Sequence, residues 1–207
     1  LLLPAVSLSL YQITLVMRLV RAEMLEVLRS DYVKFARARG IPRWRIYFRH
    51  ALRNCLMPVV TLTAMNVGSL IGAFTVGALS ERYGRRRMIA ISALAALPVI
   101  PLWAYGSSML TLGLGALLMG AVVQGAWSVV PAYLNELSPP AVRAMFPGLV
   151  YQLGNLIASR NGPLQAGIAE ARGGDFAFAL ALVATCAVVA LALLVMFGPE
   201  RRGEELV

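Results

Sequence analysis

Residues 176–197 read FAFALALVATCAVVALALLVMF, 22 residues without a charge. An α-helix needs about 20 apolar residues to cross the hydrocarbon core of a bilayer, so this run is a spanning helix. On the same ruler the chain holds four more stretches, at 57–79, 88–105, 109–134 and 145–165, and a partial one at 1–17. Composition agrees with that reading. The 207 residues are 59% hydrophobic and 14% charged, with a mean hydropathy of +0.72, outside the range of soluble domains. The expected fold is therefore all-α and polytopic, with about five full transmembrane helices and a partial one. Gly106-Ser107-Ser108 and Gly173-Gly174-Asp175 are turns between spans, and Arg160 with Asn161-Gly162-Pro163 interrupts the fifth stretch. The opening LLLPAVSLSLYQITLVM has no basic n-region and no A-x-A site, so it reads as the tail of a span in a chain that begins mid-domain.

The net charge of +9 raises the question of nucleic acid. Ten of the 19 Lys and Arg lie in 18–53, however, and four more in 82–87, each group abutting an apolar run. That is membrane-flanking charge, and nucleic acid is not an expected partner; the lipid bilayer is. Cys55 and Cys186 lie in or beside apolar stretches without pairing or ligand spacing, and read as buried small hydrophobes. No metal cluster, phosphate loop or nucleophile motif is present, so neither an enzyme nor a cofactor is expected.

Orientation is where the sequence conflicts with itself. With the loop at 80–87 cytoplasmic, the inside carries seven basic residues, including Arg143, Arg201 and Arg202, against Arg160 and Arg172 outside. The rule that positive charge stays inside is obeyed there. The ten charges of 18–53 are also expected inside, yet 57–79 lies between the two groups. The expected resolution is a re-entrant or surface-lying hairpin over 57–79, with both basic segments in the cytoplasm.

Between the first two apolar stretches, Leu25, Leu28, Tyr32 and Phe35 recur at three- and four-residue steps, as do Trp44, Tyr47, Phe48 and Leu52 after Gly40-Ile41-Pro42. Two amphipathic helices with basic outer faces follow. On periodicity alone they are an interfacial hairpin anchored on anionic lipid or a docking element. Within them, the run Asp31 to Gly40, DYVKFARARG, followed by Arg49-His50-Ala51-Leu52-Arg53-Asn54 and Leu56-Met57-Pro58-Val59-Val60-Thr61, resembles the coupling loop of peptide-type ABC importer permeases. The resemblance covers residues 1–73. It implies that Ala36, Ala38 and Gly40 form an ATPase coupling loop, small because the partner approaches the backbone, and that 18–53 meets a cytoplasmic ATPase subunit. Lys34 stands where many such importers have glutamate. His50 reads as a packing residue or a proton relay.

Further on, Gly77 to Arg87 reads GALSERYGRRR. Gly77 permits a close helix crossing, Glu81 can pair with an arginine such as Arg82 at the membrane edge, Gly84 turns the chain, and Arg85, Arg86 and Arg87 hold the loop in the cytoplasm. This resembles the signature loop of the major facilitator superfamily, with Glu81 in place of Asp. Pro131, Tyr133, Glu136, Pro139 and Arg143 resemble a sugar-porter motif, with Ala144 where glycine is usual, and residues 125–159 are similar to lactate and sialate proton symporters. The resemblance covers 74–203 and implies that the first seven helices of such a carrier are absent. Glu136 is expected to pair with Arg82, Arg85 or Arg86 as a gate.

Gly113, Ala116, Gly120, Gln124, Trp127 and Pro131 share one face of the span at 109–134; Gly148, Gln152, Asn155 and Ser159 share one at 145–165. Such stripes either glue helices together or line a solute path. Gln124, Trp127, Tyr151, Gln152 and Asn155 are the expected substrate path, with Gln124, Trp127, Gln152 and Asn155 converging on one cavity.

The expected organisation is thus an importer-permease-like part, 1–73, joined near Ala73 to a facilitator-like part, 74–207, as a fusion or recombined fragment in a bacterial inner membrane. The leading functional expectation is proton-coupled transport of a small organic solute, a carboxylate or sugar-like acid. The alternatives are a permease subunit of an ABC peptide importer and a fragment that transports nothing.

Overall fold

The computed structural model describes residues 2–198, and side chains throughout except at 2–5, 7, 8, 50, 53 and 54. The expected roles of the His50 side chain and of Arg201 and Arg202 lie outside the described residues. The chain divides into two compact units, Leu1–Thr63 and Ala64–Val207.

The first unit begins with α1 (Leu2–Arg29), which runs past the partial span into the basic segment. Ser30 adopts an extended conformation and stops it. The expected first amphipathic helix is consequently divided: Leu25 and Leu28 end α1, and Tyr32 and Phe35 sit on α2 (Asp31–Ala38). Asp31 in the first turn of α2 and Arg37 in the last suit the helix dipole. Gly40 then takes φ +74°, a left-handed conformation that costs other residues about 1–2 kcal/mol. Extended Pro42 leads into α3 (Arg43–Arg45), which continues as a π-helical turn, Ile46–Ala51, and then as α4 (Leu52–Tyr83). The wider i→i+5 turn brings Ile46 and Ala51 toward one side, whereas 3.6-residue winding would turn positions five apart well away from each other. Both are buried. Ile46 closes on Val33 and Ala36 of α2, with Val27, Leu28 and Ile41 around them, so residues 27–51 carry a small core of their own.

In the second unit α4 continues without a break to Tyr83. This corrects the hairpin expected over 57–79. An unbroken helix pairs its own backbone groups, which a turn at hydrocarbon depth leaves unpaired, and neither Gly68 nor Gly72 breaks the ladder. Gly84, at φ +95°, makes the turn instead. The stretch at 88–105 forms two helices, α5 (Arg85–Ala95) and α6 (Val99–Ala104), parted at Ala96–Pro98, where proline cannot donate to the helical ladder. Helix α7 (Met109–Leu137) is opened by a capping box between Ser108 and Thr111. The stretch at 145–165 is likewise divided at Ser159–Arg160, into α8 (Phe146–Ala158) and α9 (Asn161–Ala171). Helix α10 (Phe176–Phe197) is capped by Asp175, whose carboxylate accepts from the Phe178 amide at 2.9 Å.

Three described helical stretches are long and apolar enough to cross a membrane: Cys55–Tyr83, Met109–Leu137 and Phe176–Phe197. The fold is all-α and multi-pass. Helix α5 packs on α7 and α10 through Ile89, Ala90, Ala126, Val129, Tyr133 and Val195, and α6 packs on the same two through Val99, Ile100 and Met119. Cys55 is buried as expected, but Cys186 is exposed on α10.

Candidate functional site

The expected coupling residues lie around the turn after α2, and the structure separates them. Ala38 and Gly40 are exposed; Ala36 is 5% exposed and belongs to the core with Val33 and Ile46. Ala36 is therefore a packing residue and not part of a contact edge, because α2 turns it inward at i+3 from Val33. A Cβ built on Gly40 meets nothing within 4 Å, so only its backbone conformation demands glycine. Around this turn runs a cleft of about 470 Å³ lined by Arg39, Gly40, Ile41, Pro42, Arg45 and Arg49. The Arg39 guanidinium sits over the Phe35 ring at 5.2 Å and that of Arg45 over Trp44 at 5.3 Å, while Lys34 pairs with Asp31 at 2.7 Å.

The residues of the second motif gather at one end of α5. Arg85 pairs with Glu136 on the last turn of α7, so one of the three expected partners is in place. Each of these charges is disfavoured by its own helix dipole, a cation at the start of α5 and an anion at the end of α7, and pairing relieves both. Arg86 donates from Nη1 to the Gly198 carbonyl at 2.9 Å, at the C-terminal end of α10. Glu81 and Arg82 are exposed, and the Nε of Arg143 is buried without a hydrogen-bond partner among the described residues. Gly77 is not where helices approach, since a Cβ there meets only Ser128 Oγ, at 3.9 Å. The close approach lies at Gly68 and Gly72, which face the backbone oxygens of Leu117 and Ala121, with Gly120 against Met65 in return. The G-x-x-x-G spacing of 68–72 was the sequence signal for this crossing and was missed.

The substrate path does not assemble as expected. Gln124 lines a cavity of about 210 Å³ with Met65, Ser69, Trp103, Met119, Gly120 and Val123, on α4, α6 and α7. Trp127 and Tyr151 meet in a tilted pair, ring centroids 5.7 Å apart, but both are half exposed. Gln152 and Asn155 lie on the exposed face of α8, where, among the described residues, the Asn155 amide reaches only Gln152, at 3.5 Å. Helix α8 buries none of its residues, so its polar stripe has no wall opposite and the four residues do not share a cavity.

The turn after α2 is thus basic and carries the small residues Ala38 and Gly40 exposed at its tip. The family model for the binding-protein-dependent transport system inner membrane component matches residues 1–144, and the chain belongs to this family. It is a multi-pass inner-membrane protein. It is similar to the di/tripeptide transport system permease protein DppB of Pseudomonas aeruginosa (strain UCBPP-PA14), 48% identical over 71 residues, which are 34% of this chain and 21% of that protein. The dipeptide transport system permease protein DppB of Escherichia coli (strain K12) is 45% identical over 69 residues, 33% of this chain and 20% of that protein. That of Bacillus subtilis (strain 168) is 40% identical over 75 residues, 36% and 24% respectively. The chain thus matches only about a quarter or less of the length of these relatives. No solved structure matches it.

These findings overturn the leading functional expectation. The family match runs through Ala73 and takes in both motifs that suggested a major facilitator carrier, Gly77 to Arg87 and Pro131 to Arg143. Each is a short pattern of glycine, arginine and a single acid. Helices that meet at the edge of any membrane need such residues for turning, packing and charge placement, so the pattern does not separate one class of transporter from another. Proton symport and the carboxylate or sugar-like solute, inferred from that resemblance, fall with it.

Proposed function

We propose that this chain is part of the permease of a binding-protein-dependent peptide importer, and that the exposed edge at Ala38 and Gly40 docks on a cytoplasmic ATPase subunit. The observation that carries the reading is the self-contained core of Val33, Ala36 and Ile46. It stiffens the turn, so that a load applied at Gly40 passes into α1 and α4 instead of being lost in a loose loop. Membership of the transport-component family supports the reading, as do three relatives whose names describe dipeptide or di/tripeptide permeases. The solute is accordingly a short peptide, and nothing in the small Gln124 cavity specifies it further. The test is affinity purification of the full chain from membranes that contain the ATPase subunits of a dipeptide importer. ATPase should be retained by the wild-type chain and lost on Gly40→Trp, which fills the docking edge; equal retention by both would contradict the proposal.

A further inference from the structure

We propose that the cavity between α4, α6 and α7 is a hydrated site at the middle of the bilayer, in which Ser69, Trp103 and Gln124 hold water. Its depth follows from the two spans that wall it. Ser69 stands fourteen residues from either end of Cys55–Tyr83, and Gln124 stands fifteen and thirteen residues from the ends of Met109–Leu137. At about 1.5 Å of rise per residue, both lie roughly 20 Å along the helix from either end.

Three hydrogen-bonding groups line this cavity: the Ser69 hydroxyl, the Gln124 amide and the indole N–H of Trp103. Among the described residues none of the three has a partner. Hydroxyls within a helix commonly turn back on a carbonyl three or four residues earlier, as those of Thr61, Thr75 and Ser80 do on α4. The Ser69 hydroxyl makes no such bond and is left for the cavity. A polar group bare in hydrocarbon is costly, which is why polar side chains inside a bilayer face the bundle or a water-filled space. Water meets the need here. The cavity of about 210 Å³ far exceeds the roughly 10–15 Å³ that one water requires, and its wall offers the two to four polar partners that hold one. An acyl chain would supply no hydrogen bond. A zwitterionic peptide would find no counter-charge, since no Asp, Glu, Lys or Arg is among the described residues of the wall.

The inference goes beyond the docking proposal, and its test contains no ATPase, so the two stand or fall separately. The full chain is placed in lipid vesicles with Trp103 as its one tryptophan, Trp44→Phe and Trp127→Phe removing the other two. Indole emission is quenched by solvent water through the exchangeable N–H, so it rises in D₂O where the ring meets water. Trp103 emission should rise in D₂O, and Ser69→Ala with Gln124→Leu should abolish the rise. Lipids brominated at mid-chain report an acyl chain in the cavity instead. They should quench Trp103 less than they quench Leu70→Trp in a chain whose own three tryptophans are replaced by Phe, because Leu70, beside Ser69, is 62% exposed. Should the single-tryptophan chain misfold, the emission lost from the wild type on Trp103→Phe gives the same reading. No rise in D₂O, a rise that persists in the Ser69 and Gln124 variant, or bromine quenching of Trp103 equal to that of the Leu70 control would overturn the proposal.

Discussion

Gly40 and Ala36 are four residues apart and make opposite demands. At Gly40 the cost of a side chain is conformational: φ is +74° and the space beyond is open. Gly40→Ala should therefore destabilise the turn by only about 1–2 kcal/mol, read as a small fall in the apparent Tm of the detergent-solubilised chain, whereas Gly40→Asn should cost less because asparagine tolerates the left-handed region. Ala36 is 5% exposed beside Ile46, so its limit is volume. Ile46→Ala leaves a void in that core and should cost about 2–5 kcal/mol, seen as faster proteolysis within residues 30–51. The resemblance to a coupling loop placed Ala36, Ala38 and Gly40 together, as small residues that let a partner approach the backbone. Only the winding of α2 distinguishes the inward from the outward residue, and eight residues carry too short a pattern to show it.

Among the elements, α4 and α7 are joined by glycine. A side chain at Gly68 or Gly72 meets the backbone of Leu117 or Ala121, and backbone cannot give way as a side-chain tip can. Gly68→Leu and Gly72→Leu should each cost about 1–3 kcal/mol or more by overpacking, while Gly77→Ala should be nearly neutral; thermal unfolding of the three variants checks the order. The tie between α5 and α7 is weaker. Arg85 and Glu136 remain 30% and 23% exposed, so Glu136→Gln and Arg85→Gln should each cost about 1 kcal/mol, and the double variant little more than either. Long apolar elements were legible from composition, since hydrocarbon accepts little else: α7 and α10 lie close to where the apolar runs put them. The break at Ser159–Arg160 falls where Arg160 and Asn161-Gly162-Pro163 interrupt the apolar run, whereas the one at Ala96–Pro98 was harder to read. Apolar content alone does not show whether a proline ends a helix or is absorbed by it.

Over the whole molecule, the charge at both ends of α4 created the conflict in the sequence, and the unbroken helix Leu52–Tyr83 sharpens it. A helix that crosses the bilayer places its ends on opposite faces, and the segment with ten basic residues outweighs the loop with four. On the importer proposal, residue 39 is cytoplasmic and residue 83 is not: an impermeant maleimide should label Tyr83→Cys, but not Arg39→Cys, on intact cells. The polar stripes misled because periodicity shows that residues share a face but not what that face meets. Gln152 and Asn155 do share one on α8, and it is exposed. The arginine and glycine motifs misled for a related reason, being too short to name a transporter.

Docking of the turn after α2 on an ATPase is the central claim, and cross-linking from its two alanines tests it most directly. Cysteine is placed at Ala38 or at Ala36 in the full chain, in membranes that contain dipeptide-importer ATPase subunits, and treated with a short bifunctional thiol reagent. The account predicts a cross-linked product of permease and ATPase from position 38, which is exposed, and little from position 36, which is buried against Ile46. No product from position 38, or a product of equal yield from a cysteine at Tyr83, would contradict it.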